Sequence, residues 1–205
     1  MIVKLYPQNP SKRILNIIVD VLQKGGVIAY PTDSVYAFGC NLYSKEGYEK
    51  LAKLKNLDPN KAHFSLIFSS ISQIVEYTYP LRDEVFNLMK RNLPGPFTFI
   101  IEANNKIPRL LKNNRKKTIG VRIPDNKIAI AIVEALGNPI FTSSIISDDD
   151  IVEYLTDPEL IHEKYKDQID LVVDGGLGKV FPSTIVDCTG NDIKIIRQGA
   201  GQLIF

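Results

Sequence analysis

Helix-like and strand-like segments alternate along the whole chain, and this alternation is the feature that most constrains the fold. Residues 11–24 carry apolar side chains at a helical spacing, Ser11 can cap the start of this helix, and a Gly-Gly pair ends it. Residues 27–30 form an apolar run that is too short for a helix and is stopped by a proline, which is typical of a buried strand. The pattern therefore predicts a sheet with helices packed on it.

The same alternation continues to the C-terminus. It predicts further helices over residues 44–55, 81–91 and 128–136 and one that starts at residue 157. It predicts strands over residues 64–68, 97–102, 118–123, 139–144, 170–174, 184–188 and 194–197. The last two strands form a hairpin, which favours a mixed sheet over a purely parallel one. Because no linker, repeat or low-complexity tract divides the chain, we expect one α/β domain over residues 1–205.

The composition is that of a soluble globular protein. Of the 205 residues, 44% are apolar and 23% are charged, and no apolar run approaches the ~20 residues that a membrane helix needs. The N-terminus has no apolar signal core, so we expect a cytoplasmic protein. Cys40 and Cys188 are too few for a disulfide framework or a four-cysteine zinc site; they form one bridge or are two buried thiols. Without a Cys/His pair at ligand spacing, no protein-bound metal is expected.

Six basic residues lie in one short stretch that contains no acidic residue. This basic segment consists of Lys106, Arg109, Lys112, Arg115, Lys116 and Lys117. The net charge of +2 is too small to mark the whole chain as a nucleic-acid-binding protein. The basic segment is therefore either a solvated loop or a local surface that contacts phosphate.

The signatures of several common enzyme classes are absent from the sequence. There is no G-x-S-x-G elbow for a serine nucleophile and no G-x-G-x-x-G after a strand. Residues 175–179 resemble a phosphate-binding loop, but Val180 follows the lysine and Pro182 prevents the helix that such a loop needs. The sequence thus contains neither an evident covalent nucleophile nor a P-loop.

Hydroxyl and basic residues gather instead at the ends of predicted strands. They lie in residues 31–34, 142–144 and 182–184, with Arg122 inside one apolar strand and Arg197 at the end of the last. Loops at one edge of a sheet converge on a crevice, and arginine binds carboxylates and phosphates through two parallel hydrogen bonds. These residues predict a polar crevice for an anionic ligand, although any single hydroxyl can equally serve as a cap or turn.

Six segments, taken in order, resemble the signatures of the YrdC-like family. Residues 25–40 contain the opening G-G-V-I-A-Y-P-T-D-S-V-Y motif, residues 93–99 the P-G-P-x-T segment and residues 117–124 the V-R-x-P strand. Residues 142–144 correspond to the serine-rich motif, residues 182–187 to P-S-T and residues 196–199 to R-x-G. Each motif alone is modest, whereas the ordered set, running from about residue 11 to the C-terminus, is specific.

The resemblance implies a twisted, mixed but mostly parallel α/β sheet with flanking helices around a large positively charged cavity. It also implies a nucleotidyltransferase, L-threonylcarbamoyladenylate synthase, which joins L-threonine, bicarbonate and ATP into threonylcarbamoyl-AMP and releases pyrophosphate. This product supplies the t6A modification of adenosine 37 in tRNA, and double-stranded RNA binding is associated with the fold. Mg²⁺ is expected to accompany ATP and bridge its phosphates.

The same resemblance assigns ligands to particular residues by position. Thr32, Arg122, Thr142 and Ser183 are expected to bind L-threonine, with Arg122 on its carboxylate. Lys55, Thr118, Ser144 and Arg197 are expected to bind ATP, with Lys55 as the catalytic cation. The expected RNA contacts are Arg109, Lys112, Arg115, Lys116 and Lys117.

Two positions depart from the synthase pattern. Leu57 stands where the K-x-R motif has arginine, and Ile146 stands where the serine motif continues to asparagine. Each departure removes a polar contact near ATP that is worth ~1–3 kcal/mol. The missing arginine together with residues 63–66 is typical of the YciO branch of the family. The sequence is therefore compatible with a slow synthase, with a non-catalytic module that binds RNA or nucleotide, and with an ATP-dependent enzyme that adenylates another acid or cleaves nucleotides.

Overall fold

A single ten-stranded sheet runs through the computed structural model, which describes residues 1–108, 118–146 and 156–205. The strands are β1 (Ile2–Lys4), β2 (Val27–Tyr30), β3 (Ala37–Asn41), β4 (Ser65–Ile67), β5 (Phe97–Glu102), β6 (Thr118–Arg122), β7 (Ile140–Ser144), β8 (Leu171–Asp174), β9 (Thr184–Asp187) and β10 (Lys194–Arg197). Their order across the sheet is β1-β8-β2-β3-β7-β4-β6-β5-β9-β10. The prediction of one α/β domain with a mixed sheet is confirmed.

Antiparallel pairs slightly outnumber parallel ones in this sheet. Four neighbouring pairs are parallel and five are antiparallel, so the sheet is mixed, as predicted, but parallel pairs are not the majority. Two of the antiparallel pairs, β2 with β3 and β9 with β10, follow from short connections, because the loops at residues 31–36 and 188–193 are too short for a crossover and allow only hairpins. The predicted C-terminal hairpin is one of these, β9 with β10.

Six helices lie among the described residues: α1 (Lys12–Gln23), α2 (Lys45–Leu54), α3 (Ile71–Tyr77), α4 (Asp83–Asn92), α5 (Lys127–Leu136) and α6 (Pro158–Tyr165). Asn126 caps α5, since its Oδ1 accepts hydrogen bonds from the backbone N–H groups of Ile128 and Ala129. Gly137 ends the same helix with a φ of 81°, a conformation that favours glycine. Ser11 stands at the N-cap position of α1, but its side chain makes no capping hydrogen bond.

The two faces of the sheet are covered differently. On one face, α2, α3, α4 and α6 pack with the strands in a large apolar core. On the other face, α1 and α5 form a second core with β1, β8, β2 and β3, and this core ends at Ile67 of β4 and Ile140 of β7. We call the part of this second face under α1 and α5 the covered half, and the part over β7, β4, β6, β5 and β9 the open half.

Both cysteines are free and buried, so they are two thiols and not a bridge. Burial raises the pKa of Cys188 to about 12, which keeps this thiol protonated and unreactive at neutral pH. Within the ranges that the structure describes, no helix has the length and apolarity needed to cross a bilayer.

Candidate functional site

A cavity of about 220 Å³ lies on the open half of the sheet. It is lined by Lys55, His63, Ser65, Thr98, Arg122, Thr142, Ser143, Ser144, Ile146, Ser183, Ile185 and Arg197. Six neighbouring strands, from β7 to β10 in the sheet order, therefore contribute to it, together with the end of α2 and the loops beside the strands. Among the described residues that line it, three side chains are cations and none is a carboxylate, an arrangement suited to an anion.

Strand alternation explains why this face is polar. In β6, Ile119 and Val121 are buried in the large core, whereas Arg122 lines the cavity. In β5, Thr98 lines the cavity between Phe97 and Phe99, which pack into the same large core. Successive residues of one strand thus serve an apolar core and a polar cavity on opposite faces.

A glycine leaves room beside the floor of the cavity. Ser65 of β4 pairs with Thr142 of β7, so both side chains project from the same face. A Cβ atom at Gly120 of β6 would lie 2.5 Å from Ser65 Oγ and 2.9 Å from Thr98 Cγ2. Any other residue at this position would displace side chains that line the cavity.

Arg122 is held in place by a buried ion pair. Its Nη2 donates to Asp33 Oδ1 and to Ser34 Oγ, both at 3.0 Å, and the two charged side chains are only 3% and 4% exposed. The other oxygen of Asp33 accepts from the backbone N of Asp125 at 2.9 Å. Burial raises the pKa of Asp33, and the positive charge of Arg122 opposes that rise. Among the described residues, Arg122 Nε is buried and has no hydrogen-bond partner, so its N–H is available to a ligand.

Arg197 and Ser183 form a second polar cluster at the cavity. Nη2 of Arg197 donates to the backbone O of Ser183 at 2.7 Å, and Ser183 Oγ lies 2.8 Å from Thr98 Oγ1. Burial, and then the positive charge of Arg122, lower the pKa of Arg197. The two guanidinium groups therefore act on the same region, where an anion would relieve their repulsion.

Lys55 reaches the cavity from the end of α2. It occupies the C-cap position of that helix, and its Nζ donates to the backbone O of Ser144 at 3.2 Å. Ser144 is the last residue of β7, where the sheet meets the cavity. The ammonium group thus lies beside two of the cavity's hydroxyl-bearing residues, Ser143 and Ser144.

The structure brings together six of the eight residues expected to bind L-threonine or ATP. The six that line the cavity are Lys55, Arg122, Thr142, Ser144, Ser183 and Arg197. Which ligand each of them binds stays a prediction. The residues expected to contact RNA, Arg109, Lys112, Arg115, Lys116 and Lys117, lie outside the described residues.

Thr32 and Thr118 are the two expected residues that do not line the cavity. Thr32 is buried in the loop after β2, where its Oγ1 donates to Val35 O and accepts from the backbone N of Ser34. It therefore shapes the loop that presents Ser34 to Arg122. Thr118 begins β6, at the opposite end of the strand from Arg122, and pairs with Glu102.

Several lining residues were not assigned to the site from the sequence. They are His63, Ser65, Thr98 and Ile185. Ser143 also lines the cavity; the sequence placed it in the crevice with residues 142–144 but assigned it no ligand. Ser65 and Thr98 could have been found, because each is a polar residue within an apolar strand and therefore marks the face opposite the core. Of the two departures from the synthase pattern, Ile146 lines the cavity, whereas Leu57 is exposed and does not.

A larger groove of about 710 Å³ lies elsewhere on the molecule, between the N-terminal segment, α3 and α5. None of the residues expected to bind L-threonine or ATP lines it, and its described walls combine proline and isoleucine with polar side chains that include Asp125 and Glu134. We therefore place the candidate site in the smaller cavity, where the cations and hydroxyls converge. In the described part of the chain, no three His, Cys, Asp or Glu side chains are grouped as a metal site.

Comparison with known proteins places this arrangement in a family. The family model for Sua5, YciO and YrdC proteins, which is described as "Telomere recombination", matches residues 20–199. This chain belongs to the Sua5/YciO/YrdC family. The resemblance seen in the sequence motifs is thereby confirmed.

Two relatives of known sequence match the chain over nearly its whole length. An uncharacterized protein of Haemophilus influenzae is 39% identical, covering 96% of this chain and 94% of its own. The uncharacterized protein YciO of Escherichia coli K12 is 37% identical, covering 97% and 95%. These family members agree with the assignment to the YciO branch.

Solved structures of the family have the same fold. The crystal structure of E. coli YciO superposes with a TM-score of 0.90 at 36% identity, covering 98% of this chain and 97% of that one. P. abyssi Sua5 complexed with L-threonine superposes with a TM-score of 0.85 at 23% identity, and the match covers 97% of this chain but 57% of that one. At this lower identity the second match shows the shared fold.

Proposed function

We propose that this family member is a slow L-threonylcarbamoyladenylate synthase. It would join L-threonine, bicarbonate and ATP into threonylcarbamoyl-AMP, for the t6A modification of adenosine 37 in tRNA. The observation that carries the proposal is the convergence of Lys55, Arg122 and Arg197 with six hydroxyl side chains on one cavity. A family member with the same fold, P. abyssi Sua5, has been solved with L-threonine, which supports an amino-acid ligand here.

The proposed reaction requires orientation and charge neutralisation but no covalent nucleophile. The carbamate made from L-threonine and bicarbonate attacks the α-phosphorus of ATP through one oxygen, and the bond to the bridging oxygen breaks to release pyrophosphate. Such a transfer is accelerated mainly by positioning and by cations near the developing charge. Mg²⁺ would enter with ATP and neutralise part of the charge on its phosphates. We place this chemistry in the cytoplasm, where ATP and tRNA are present.

We assign different side chains of the cavity to L-threonine and to ATP. Arg122 is fixed by Asp33 and retains an unpartnered Nε, so it is the group we assign to the threonine carboxylate. Thr142 and Ser183 supply hydroxyls on the same cavity. Lys55, Ser144 and Arg197 are assigned to the nucleotide, with the Lys55 ammonium neutralising charge on the leaving pyrophosphate.

Pyrophosphate release tests the proposal directly. We expect release from ATP that depends on both L-threonine and bicarbonate, with a threonylcarbamoyl-AMP peak on chromatography. Lys55→Ala should abolish both signals, because a cation at the leaving group is lost. Lys53→Ala is the matched control, since Lys53 is an exposed lysine of the same helix that does not line the cavity.

A second candidate function follows from Ile146, which lines the cavity with an apolar side chain where synthases have asparagine. A cavity altered in this way could bind nucleotide or double-stranded RNA without synthesis, or could adenylate another acid. Pyrophosphate release that does not depend on L-threonine would indicate that another acid is the substrate. If the wild type forms no adduct, and Leu57→Arg combined with Ile146→Asn also forms none, the synthase proposal is wrong.

A further inference from the structure

We propose that Tyr30 is a positioning residue of the cavity, which donates its phenolic proton to Thr142 Oγ1 and thereby turns the hydroxyl proton of Thr142 toward the bound molecule. Thr142 then acts as a hydrogen-bond donor and requires an acceptor oxygen on its ligand. The inference rests on the proposed function, because L-threonine is the ligand assigned to Thr142.

The contact between the two residues is built across three adjacent strands. Tyr30 ends β2 with no exposed surface, Thr142 lies in β7 and lines the cavity, and their hydroxyl oxygens are 2.6 Å apart. The strand between them, β3, has Gly39 paired with Thr142. A Cβ atom at Gly39 would lie 2.8 Å from Tyr30 Cε1, so the tyrosine ring crosses β3 where a glycine leaves room for it.

This arrangement puts Tyr30 and the cavity on either side of one hydroxyl group. Tyr30 belongs to the apolar core of the covered half, and Thr142 stands at the border with the open half. Thr142 is β-branched, so its side chain has few alternative rotamers. The oxygen of this hydroxyl is therefore held at the cavity wall, and only the direction of its O–H bond remains variable.

The available hydrogen-bond partners determine which of the two hydroxyl groups donates. Burial raises the pKa of Tyr30, so the phenol keeps its proton at physiological pH. Among the described residues, Thr142 Oγ1 is the one hydrogen-bond partner of the Tyr30 hydroxyl. If Thr142 were the donor, the phenolic proton would be buried without an acceptor, which folded proteins avoid. A phenol is also a stronger acid than an alcohol and therefore the better donor.

The direction of the Thr142 O–H bond determines which ligand groups can bind beside it. Thr142 Oγ1 already accepts from Tyr30, and it makes no other hydrogen bond among residues 1–108, 118–146 and 156–205. A carboxylate or hydroxyl oxygen of the ligand would complete the chain Tyr30 to Thr142 to ligand. A group that can only donate, such as an ammonium, is disfavoured there.

A double-mutant cycle on L-threonine affinity tests the coupling, with calorimetry as the measurement. Tyr30→Phe keeps the ring and should weaken binding about tenfold. Thr142→Val should weaken binding by about tenfold or more, and adding Tyr30→Phe to it should change little, because both act through the same proton. Unchanged affinity in Tyr30→Phe, or additive effects in the double mutant, overturns the proposal.

A second buried tyrosine provides the matched control. Tyr48 is 1% exposed and donates to the backbone O of Ala62 at 2.7 Å, away from the cavity lining. Tyr48→Phe should lower the unfolding temperature as Tyr30→Phe does but leave L-threonine affinity within about twofold. If both variants weaken binding equally, the effect is general destabilisation and the proposal is wrong.

A neutron structure of the ligand-free wild type decides the proton direction without reference to any ligand. We expect deuterium on the Tyr30 oxygen, directed at Thr142 Oγ1. Deuterium on Thr142 directed at Tyr30 overturns the proposal even if L-threonine binds tightly. A wild type that does not bind L-threonine overturns the proposed function, and the neutron map then still decides whether Tyr30 orients Thr142.

Discussion

The covered half and the open half lie on the same face of one sheet, yet they differ in polarity and in packing. Under α1 and α5, the covered half is filled with side chains such as Leu22, Ile28 and Val133, none of which is exposed. Over β4, β5 and β6, the open half presents Ser65, Thr98 and Arg122 to a cavity. The first half supplies apolar burial and the second supplies hydrogen-bond donors and charge.

This difference shows how one sheet can carry both stability and a site. The opposite face is apolar beneath both halves, so the strands of the open half remain anchored in the large core. The polar side chains of the open half are then held by each other, as in the pair of Asp33 with Arg122 and that of Thr98 with Ser183. The four predictions below test this division, in order of their expected effect on stability.

The largest loss is expected from breaking the buried ion pair. Asp33→Ala should lower the free energy of unfolding by ~3–5 kcal/mol, because it leaves the charge of Arg122 buried without its partner. Urea unfolding measures the loss. Glu46→Ala is the control, since its ion pair with Lys50 is largely exposed and should contribute less than ~1 kcal/mol. Equal losses in the two variants would show that the open half does not depend on this pair.

A somewhat smaller loss is expected from a cavity made in the covered half. Leu22→Ala should cost about 3 kcal/mol, because Leu22 is fully buried between α1 and the sheet. L-threonine affinity, measured by calorimetry below the unfolding transition, should stay unchanged. A large change in affinity would contradict the separation of the two halves.

A single hydroxyl of the open half should affect binding more than folding. Thr98→Val removes the hydrogen bond to Ser183 and should cost about 1 kcal/mol in urea unfolding. Because Ser183 is an expected L-threonine contact, the same variant should also weaken L-threonine binding. Thr189→Val, which removes a hydroxyl in the turn between β9 and β10, is the control and should leave binding unaffected.

The smallest change in stability and the largest gain in rate are expected at the two departures from the synthase pattern. Leu57 and Ile146 are 44% and 53% exposed, so Leu57→Arg with Ile146→Asn should change stability by less than ~0.5 kcal/mol. Restored polar contacts to ATP should raise the rate of adduct formation roughly tenfold to a hundredfold. Leu177→Arg, at a more exposed leucine, is the control and should leave the rate unchanged.

Much of the fold could be predicted from local sequence, and the exceptions have identifiable causes. The strand Val27–Tyr30 and the helix Lys127–Leu136 show clear apolar patterns and end at proline or glycine. The strand Ala37–Asn41 escapes prediction because Gly39 has a low strand propensity. This strand lies between β2 and β7, and a Cβ atom at Gly39 would lie 2.8 Å from Tyr30 Cε1, so β3 passes the tyrosine ring at a glycine.

The residues of the candidate site could also be predicted only in part. The resemblance to the family's motifs predicted six of the lining residues; five of them lie in strands or directly beside them, whereas Lys55 lies at the end of α2. Thr32 was assigned to the ligand, but the structure places its hydroxyl in hydrogen bonds within its own loop. A motif identifies which residues matter, whereas the direction of a side chain depends on neighbours that are distant in sequence.

The sequence by itself determined five of the six described helices, most of the strands, and the residue types that a site for an anionic ligand needs, because these follow from periods of two to four residues and from capping and turn chemistry. Only the tertiary structure decided the strand order, the pairing of Arg122 with Asp33 and the contact of Tyr30 with Thr142. These two contacts join residues 89 and 112 positions apart. No local pattern specifies such contacts, since they form only when the whole sheet has brought both strands together.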